Sequence, residues 1–138
     1  MASYVKFDCF VENVAEKVHN LGSDQLKVAL TNTAPAPSSN TVLADITEIS
    51  YTNCSSRNIT TSSSAQSSGT YKLVCADLVL SASGGVGPFR YVVFYNDTPT
   101  SPAHPLIAYW DYGSSVTLAN GDTFTIDFDG TNGVLQLA

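Results

Sequence analysis

The 138-residue chain is poor in charged side chains. Asp, Glu, Lys and Arg make up 13% of it, roughly half the usual share, and Ser, Thr and Asn supply much of the polar surface instead. Twelve acidic residues against six basic ones give a net charge of −6, and the basic residues are scattered. Because there is no basic patch to neutralise a phosphate backbone, we predict no direct nucleic-acid partner.

Cysteines and long apolar runs are also scarce. The three cysteines, Cys9, Cys54 and Cys75, are an odd number without metal-ligand spacing, which indicates free thiols. No apolar run approaches the length that crosses a bilayer, and residues 1–6 lack the pattern of a secretory signal. We therefore predict no membrane partner and synthesis in a reducing cytoplasm.

Residue sets that carry catalysis or ligand binding are missing. There is no nucleophile motif, no Gly-rich phosphate loop and no pair of histidines at metal-binding spacing, and His19 and His104 are predicted to be surface residues. Asp127 and Asp129 resemble part of a calcium loop, but the closing bidentate Glu is absent, and the outward face of a strand explains both acids. We predict no enzyme, no cofactor and no metal site.

Strands dominate the predicted secondary structure. Apolar residues alternate along residues 25–31 and 71–81, and residues 89–95 form an apolar run typical of a central strand. In 71–81 the alternation changes face at Ala76-Asp77, which indicates a bulge or a bend between sheets. With the strands of the last third, the count is seven or eight. The prediction is one all-β domain over 1–138, a β-sandwich or jelly roll of mostly antiparallel strands.

One stretch near the N-terminus has helical spacing. Apolar residues recur at three-and-four spacing between Phe7 and Val18, which predicts one short helix over about 8–20, capped by Asp8. Residues 42–51 are predicted to be a short helical turn or an irregular edge segment. The Ser/Thr-rich segment at about 53–70 is predicted to be a solvated loop or a β-edge arm, with a flexible segment ordered by a partner as the alternative.

The last third predicts a meander. The pairs Asn120-Gly121 and Asn132-Gly133 favour type I′ hairpin turns, in which both central residues have positive φ. Between them, Phe124, Ile126 and Phe128 alternate with polar residues, as in a half-buried strand. The interpretation is three consecutive paired strands with one apolar face.

A group of aromatic residues accompanies the last two long strands. If Trp110 lies in the core, the alternation places Tyr109 and Asp111 outside; if Trp110 lies outside, it is the best single anchor for a partner. The group suits either a protein-contact patch or a sugar-stacking platform. Its members are Tyr91, Tyr95, Tyr109, Trp110 and Tyr112.

Five segments of the chain carry a resemblance to known proteins: Val-His-Asn-Leu-Gly-Ser-Asp (18–24), Leu-Thr-Asn-Thr-Ala-Pro (30–35), Gly-Pro-Phe-Arg-Tyr (87–91), Tyr-Asn-Asp-Thr (95–98) and Tyr-Trp-Asp-Tyr-Gly-Ser-Ser (109–115). With them the chain resembles a family of small tailed-phage virion proteins, the jelly-roll cement (decoration) proteins of capsids. The resemblance implies a structural virion protein on the capsid exterior that bridges major capsid protein subunits and stabilises the shell against packaged-DNA pressure. The low charge and the exposed edge expected of an open sandwich agree with it, and we expect a homodimer.

Two kinds of partner remain open at this point. In the first, the chain contacts the major capsid protein and a second copy of itself. The alternative is a carbohydrate- or receptor-binding β-sandwich of a phage tail, in which Trp110 and nearby tyrosines stack on a sugar. The residues predicted to contact a partner are Tyr4, Phe7, Tyr51, Arg57, Ile59, Trp110 and Tyr112.

Overall fold

The computed structural model describes residues 3–138, and within them it has nine β-strands, one short α-helix and one 3-10 turn. The predicted all-β class with a short helix near the N-terminus is confirmed, with nine strands in place of seven or eight. The helix α1 is Cys9–Ala15 and the 3-10 turn is Leu43–Asp45. The strands are β1 Ser3–Lys6, β2 Leu26–Thr31, β3 Thr61–Ser67, β4 Thr70–Cys75, β5 Leu78–Ser81, β6 Val86–Asn96, β7 Leu106–Leu118, β8 Thr123–Ile126 and β9 Leu135–Leu137.

The strands pair into three antiparallel sheets. Four strands form the sheet β1-β7-β6-β2, three form β3-β4-β9, and two form β5-β8. Apolar side chains from β2, β6 and β7 share one core cluster with those from β4, β5, β8 and β9. The four-stranded sheet is therefore one layer of a sandwich, and the two smaller sheets together form the other.

The outer face of the four-stranded sheet carries a second, smaller core. Leu26, Val28 and Leu30 of β2 face the main core, as their alternation predicts. Ala29 points the other way, into a cluster with Phe7 and Ile46. Because Ile46 directly follows the 3-10 turn, that segment covers the outer face and leaves β2 buried on both sides.

The helix is shorter than predicted and ends at Ala15 instead of residue 20. Lys17 has a φ of +66°, in the left-handed region, and the N–H of Val18 bonds to the carbonyl of Asn13, so the regular ladder stops there. The Asp8 side chain makes no capping hydrogen bond, and that part of the prediction is wrong. No helix within residues 3–138 is long and apolar enough to span a membrane.

The predicted meander is wrong, because no two of the last three strands pair with each other. β7 joins β1 and β6, β8 joins β5, and β9 joins β4. In each Asn-Gly pair the glycine has positive φ (+90° at Gly121 and +83° at Gly133) and the asparagine does not. A type I′ turn needs positive φ at both residues, so neither turn is type I′. Each turn sends the chain to a different sheet: the N–H of Gly121 bonds to the Ala82 carbonyl, and Val134 N–H bonds to the Leu73 carbonyl.

A hairpin turn with positive φ at both central residues occurs outside the last third, between β3 and β4. Ser68 and Gly69 have φ of +52° and +83° and join β3 to β4 by a two-residue loop. Residues 61–67 of the Ser/Thr-rich segment thereby form an edge strand. Of the alternatives predicted for this segment, they match the β-edge arm. The predicted bend at Ala76-Asp77 is found, since it separates β4 from β5 in a different sheet.

Candidate interaction surface

The outer edge of β2 is closed by residues 48–59 of the same chain. Val28 N–H donates to the Arg57 carbonyl (3.1 Å), and Ile59 N–H donates to the Leu26 carbonyl (2.9 Å). Farther along, Ile49 N–H donates to the Leu30 carbonyl (3.0 Å). An unpaired strand edge is a template for pairing with another chain, and this segment removes it.

Two side chains complete the closure where the backbone does not reach. The Tyr51 hydroxyl accepts the N–H of Leu30 (2.9 Å), and Arg57 Nη1 donates to the Val28 carbonyl (2.7 Å). The Arg57 guanidinium lies over the Tyr51 ring, 3.6 Å from its centroid, and the Tyr51 hydroxyl donates to Glu48 (2.7 Å). Burial raises the pKa of Tyr51 above its ordinary value, so the hydroxyl stays protonated.

These contacts revise four of the predicted partner residues. The polar groups of Tyr51 and Arg57 are used within the chain, to seal the β2 edge. Phe7 is 0% exposed and Ile59 is 4% exposed, so neither side chain can reach a partner, and the prediction is wrong for both. Phe7 packs on the ring of Tyr109 (5.5 Å between centroids) in the outer-face cluster, and Ile59 packs in the main core.

The opposite side of the sandwich is open. β1 ends the four-stranded sheet and β9 ends the three-stranded sheet, and within residues 3–138 neither outer edge bonds to another segment. Between them runs a chain of cavities of about 200, 250, 450 and 410 Å³, each sharing lining residues with the next. We call this feature the open groove; in order along it lie Phe124, Tyr112, Trp110, Asp127, Tyr4, Val134, Lys6, Val11, Val14, Leu137 and Lys17.

Exposed apolar side chains concentrate in the open groove. Among the described residues, five large apolar side chains are exposed, and four of them line it: Tyr4 (43%), Val11 (58%), Tyr112 (47%) and Leu137 (38%). The fifth, Val79 (50%), lies on β5 outside the groove. Such a concentration on one side of a small protein is typical of a site for another molecule.

Trp110 is neither fully in the core nor fully outside, the two alternatives that the sequence left open. Its ring faces the main core and contacts Phe94 and Phe128, with centroids 6.0 and 5.7 Å away. It also packs edge-on to Tyr4 (5.4 Å) and lines two of the cavities, so part of it is accessible from the open groove. Tyr109 lies on the outer face of the sheet, as the alternation requires for an inward Trp110.

The two halves of the open groove carry opposite charge. Lys6 and Lys17 line the two cavities of one half, of about 450 and 410 Å³, and Asp127 and Asp129 line the cavity of about 250 Å³ in the other half. The carboxylate of Asp129 accepts hydrogen bonds from its own loop, chiefly at Asn132, which lowers the pKa of that carboxyl below its ordinary value. The described residues hold no group of three or more His, Cys, Asp and Glu side chains placed to bind a metal ion.

A buried polar cluster lies beside the basic half. His19 Nδ1 is 3.0 Å from the side-chain nitrogen of Asn96, which also donates to Asp24 (2.7 Å), while the Asn96 oxygen accepts the N–H of Thr98 (3.1 Å). The last two bonds fix the amide orientation, so Nδ1 of His19 must accept a hydrogen bond. Burial lowers the pKa of His19, which is half-buried against Phe10 and not on the surface as predicted.

Comparison of the chain with protein-family models, curated proteins and solved structures finds no match. Sequence reasoning found Tyr4, Trp110 and Tyr112 of the open groove. It missed Lys6 and Leu137, because no local pattern says that β1 and β9 end their sheets.

Proposed function

We propose that the protein is a structural virion protein that binds the outer surface of a phage capsid and bridges major capsid protein subunits. In this role it stabilises the shell against the pressure of packaged DNA, after synthesis in the host cytoplasm. The open groove is the observation that carries the proposal, since four exposed apolar side chains on one side of a two-layer scaffold favour contact with protein. The resemblance of the quoted segments to capsid cement proteins supports the capsid as the partner.

The scaffold suits a bridging role. Two apolar clusters cover both faces of the four-stranded sheet, and residues 48–59 seal its β2 edge, so that edge offers no site for unwanted pairing. With 13% charged residues, contacts with other proteins desolvate few charges. Each contact can be weak, because many symmetry-related copies act together on a shell. The proposal includes a homodimer and involves no catalytic step, no cofactor, no nucleic acid and no membrane.

The test is attachment to the particle from which the chain comes. Mass spectrometry of purified virions should give a copy number near that of the major capsid protein, and a density map should place the chain on the outside of the shell. A copy number typical of a tail component, or absence from the virion, would contradict the proposal.

A matched pair of variants connects attachment to the open groove. Val11 and Val79 are similarly exposed valines, one inside the groove and one outside it. Val11→Ser should weaken co-sedimentation of the purified chain with shells that lack it, because a homodimer attaches through two contacts and a monomer through one, and Val79→Ser should leave it unchanged. Equal behaviour of the two variants would show that the groove has no part in attachment.

The second candidate is a carbohydrate- or receptor-binding sandwich of a phage tail. The cavity of about 200 Å³ favours it, because Trp110, Tyr112 and Phe124 line the cavity beside Asp127. Aromatic rings next to a carboxylate suit a sugar, which offers both C–H faces and hydroxyl groups. A Trp110→Ala variant that keeps its fold and its capsid attachment but loses binding to a glycan array would favour this candidate.

A further inference from the structure

We propose that a second copy of this chain occupies the open groove, with the β1 strands of the two copies paired antiparallel across a two-fold axis through Val5. The inference rests on the self-association included in the proposed function and names the surface that carries it. In a two-fold dimer, each surface outside the interface occurs twice, once on each copy. Such a dimer can bind two shell subunits with the same surface, as a bridging protein must.

The backbone of β1 shows which groups are free to pair. Phe7 N–H donates to the Ile107 carbonyl of β7 (3.0 Å), and the register pairs Val5 with Tyr109. Because hydrogen-bonding direction alternates along an antiparallel strand, Ser3 and Val5 also face β7. The N–H and C=O groups of Tyr4 and Lys6 therefore point to the outer edge.

A two-fold axis through Val5 satisfies all of these outward groups. It places Tyr4 of one copy opposite Lys6 of the other, and each such pair exchanges two N–H···O bonds. Each copy has four outward groups, and the resulting four hydrogen bonds use all eight. The two four-stranded sheets become one continuous sheet, and the open edge disappears.

The charges of the open groove fit the same two-fold axis. A surface that meets a copy of itself across a two-fold axis must be self-complementary. Rotation about Val5 brings the half with Lys6 and Lys17 towards the half with Asp127 and Asp129 of the other copy.

The acid of α1 does not oppose this arrangement. Glu12 lies two residues from Val14, which lines the groove, and two residues correspond to a rotation of about 160° between side chains when taken the shorter way round the helix. The Glu12 carboxylate therefore points away from Val14.

Lys6→Pro tests the pairing. Proline removes the outward N–H of residue 6 and no bond to β7, so the monomer should fold. Two of the four hydrogen bonds across the dimer are lost. We expect the dissociation constant of the dimer to rise on the order of 30-fold, which corresponds to about 2 kcal/mol. Sedimentation equilibrium of the whole chain measures it, with a dimer mass of twice 14.6 kDa for the unmodified protein.

Three further variants separate backbone, charge and surface effects. Lys6→Ala removes the charge but keeps the N–H, so it should weaken the dimer less than Lys6→Pro and reduce its salt dependence. Val11→Ser leaves the backbone intact and should also weaken the dimer, and it takes the place of Lys6→Pro if that variant does not fold. Val79→Ser should have no effect.

A chain that sediments as a monomer at all accessible concentrations overturns the inference. A dimer whose dissociation constant changes with neither Lys6→Pro nor Val11→Ser overturns it as well, because the interface would lie elsewhere. The proposed function is judged separately, by attachment to shells. A monomer that attaches contradicts only this inference, and a dimer that does not attach contradicts only the proposed function.

Discussion

Replacing Tyr51 with phenylalanine tests whether a side chain closes the edge of β2. The change removes one oxygen and leaves the ring beneath the Arg57 guanidinium in place. The N–H of Leu30, now 2.9 Å from that oxygen, loses its acceptor in a residue that is 0% exposed. An unsatisfied buried donor costs about 1–3 kcal/mol, and the lost bond to the exposed Glu48 adds about 0.5 kcal/mol at most. We expect the free energy of unfolding to fall by about 2 kcal/mol.

Urea denaturation measures this loss as a lower midpoint at constant slope, and the melting temperature should fall by about 8 °C for a chain of this length. Tyr91→Phe is the matched control, because the Tyr91 hydroxyl makes no hydrogen bond within residues 3–138. Its effect should stay within about 0.5 kcal/mol. Equal losses from the two variants, with protein concentrations kept where self-association is absent, would refute the role of Tyr51 as an edge closure.

Two other predictions concern a turn and a half-buried histidine. Gly133→Ala should lower the free energy of unfolding by about 2 kcal/mol or more, since Gly133 has a φ of +83° and an added Cβ would lie 2.6 Å from the Leu73 carbonyl oxygen. Gly130→Ala, where an added Cβ meets nothing within 4 Å, is its control, and equal losses would contradict the explanation. Burial holds the pKa of His19 below its ordinary value, so its contribution to stability is present above about pH 6.5 and is lost as the pH falls through the folded-state pKa. Denaturation at a series of pH values should show this loss, and His19→Phe should remove that part of it; an unchanged pH dependence would contradict it.

Much of the fold was predictable because the relevant signal is local. Alternation in β2 correctly placed Leu26, Val28 and Leu30 towards the core, and the same pattern placed Phe124 and Ile126 inward in β8. The face change at Ala76-Asp77 correctly indicated a bend. In an extended strand, successive side chains point to opposite faces, so a short stretch of sequence suffices to assign them.

The candidate site was predicted less well. Tyr51 and Arg57 are an aromatic and a basic residue in a polar segment, which suits a partner contact as well as a seal. Two long-range hydrogen bonds make them part of the seal: the Leu30 N–H bonds to the Tyr51 hydroxyl, and Arg57 bonds to the Val28 carbonyl. No local pattern contains such pairs.

Sequence by itself determined the all-β class, the single short helix, most strand positions and the faces of the strands. Tertiary structure decided which strands are neighbours, and with them which edges are sealed and which are open. The last third shows the difference: its Asn-Gly turns are readable, yet β7, β8 and β9 join three different sheets. Period-2 alternation specifies the face of a strand but not its hydrogen-bonded partner, because the partner is selected by long-range packing of the whole core.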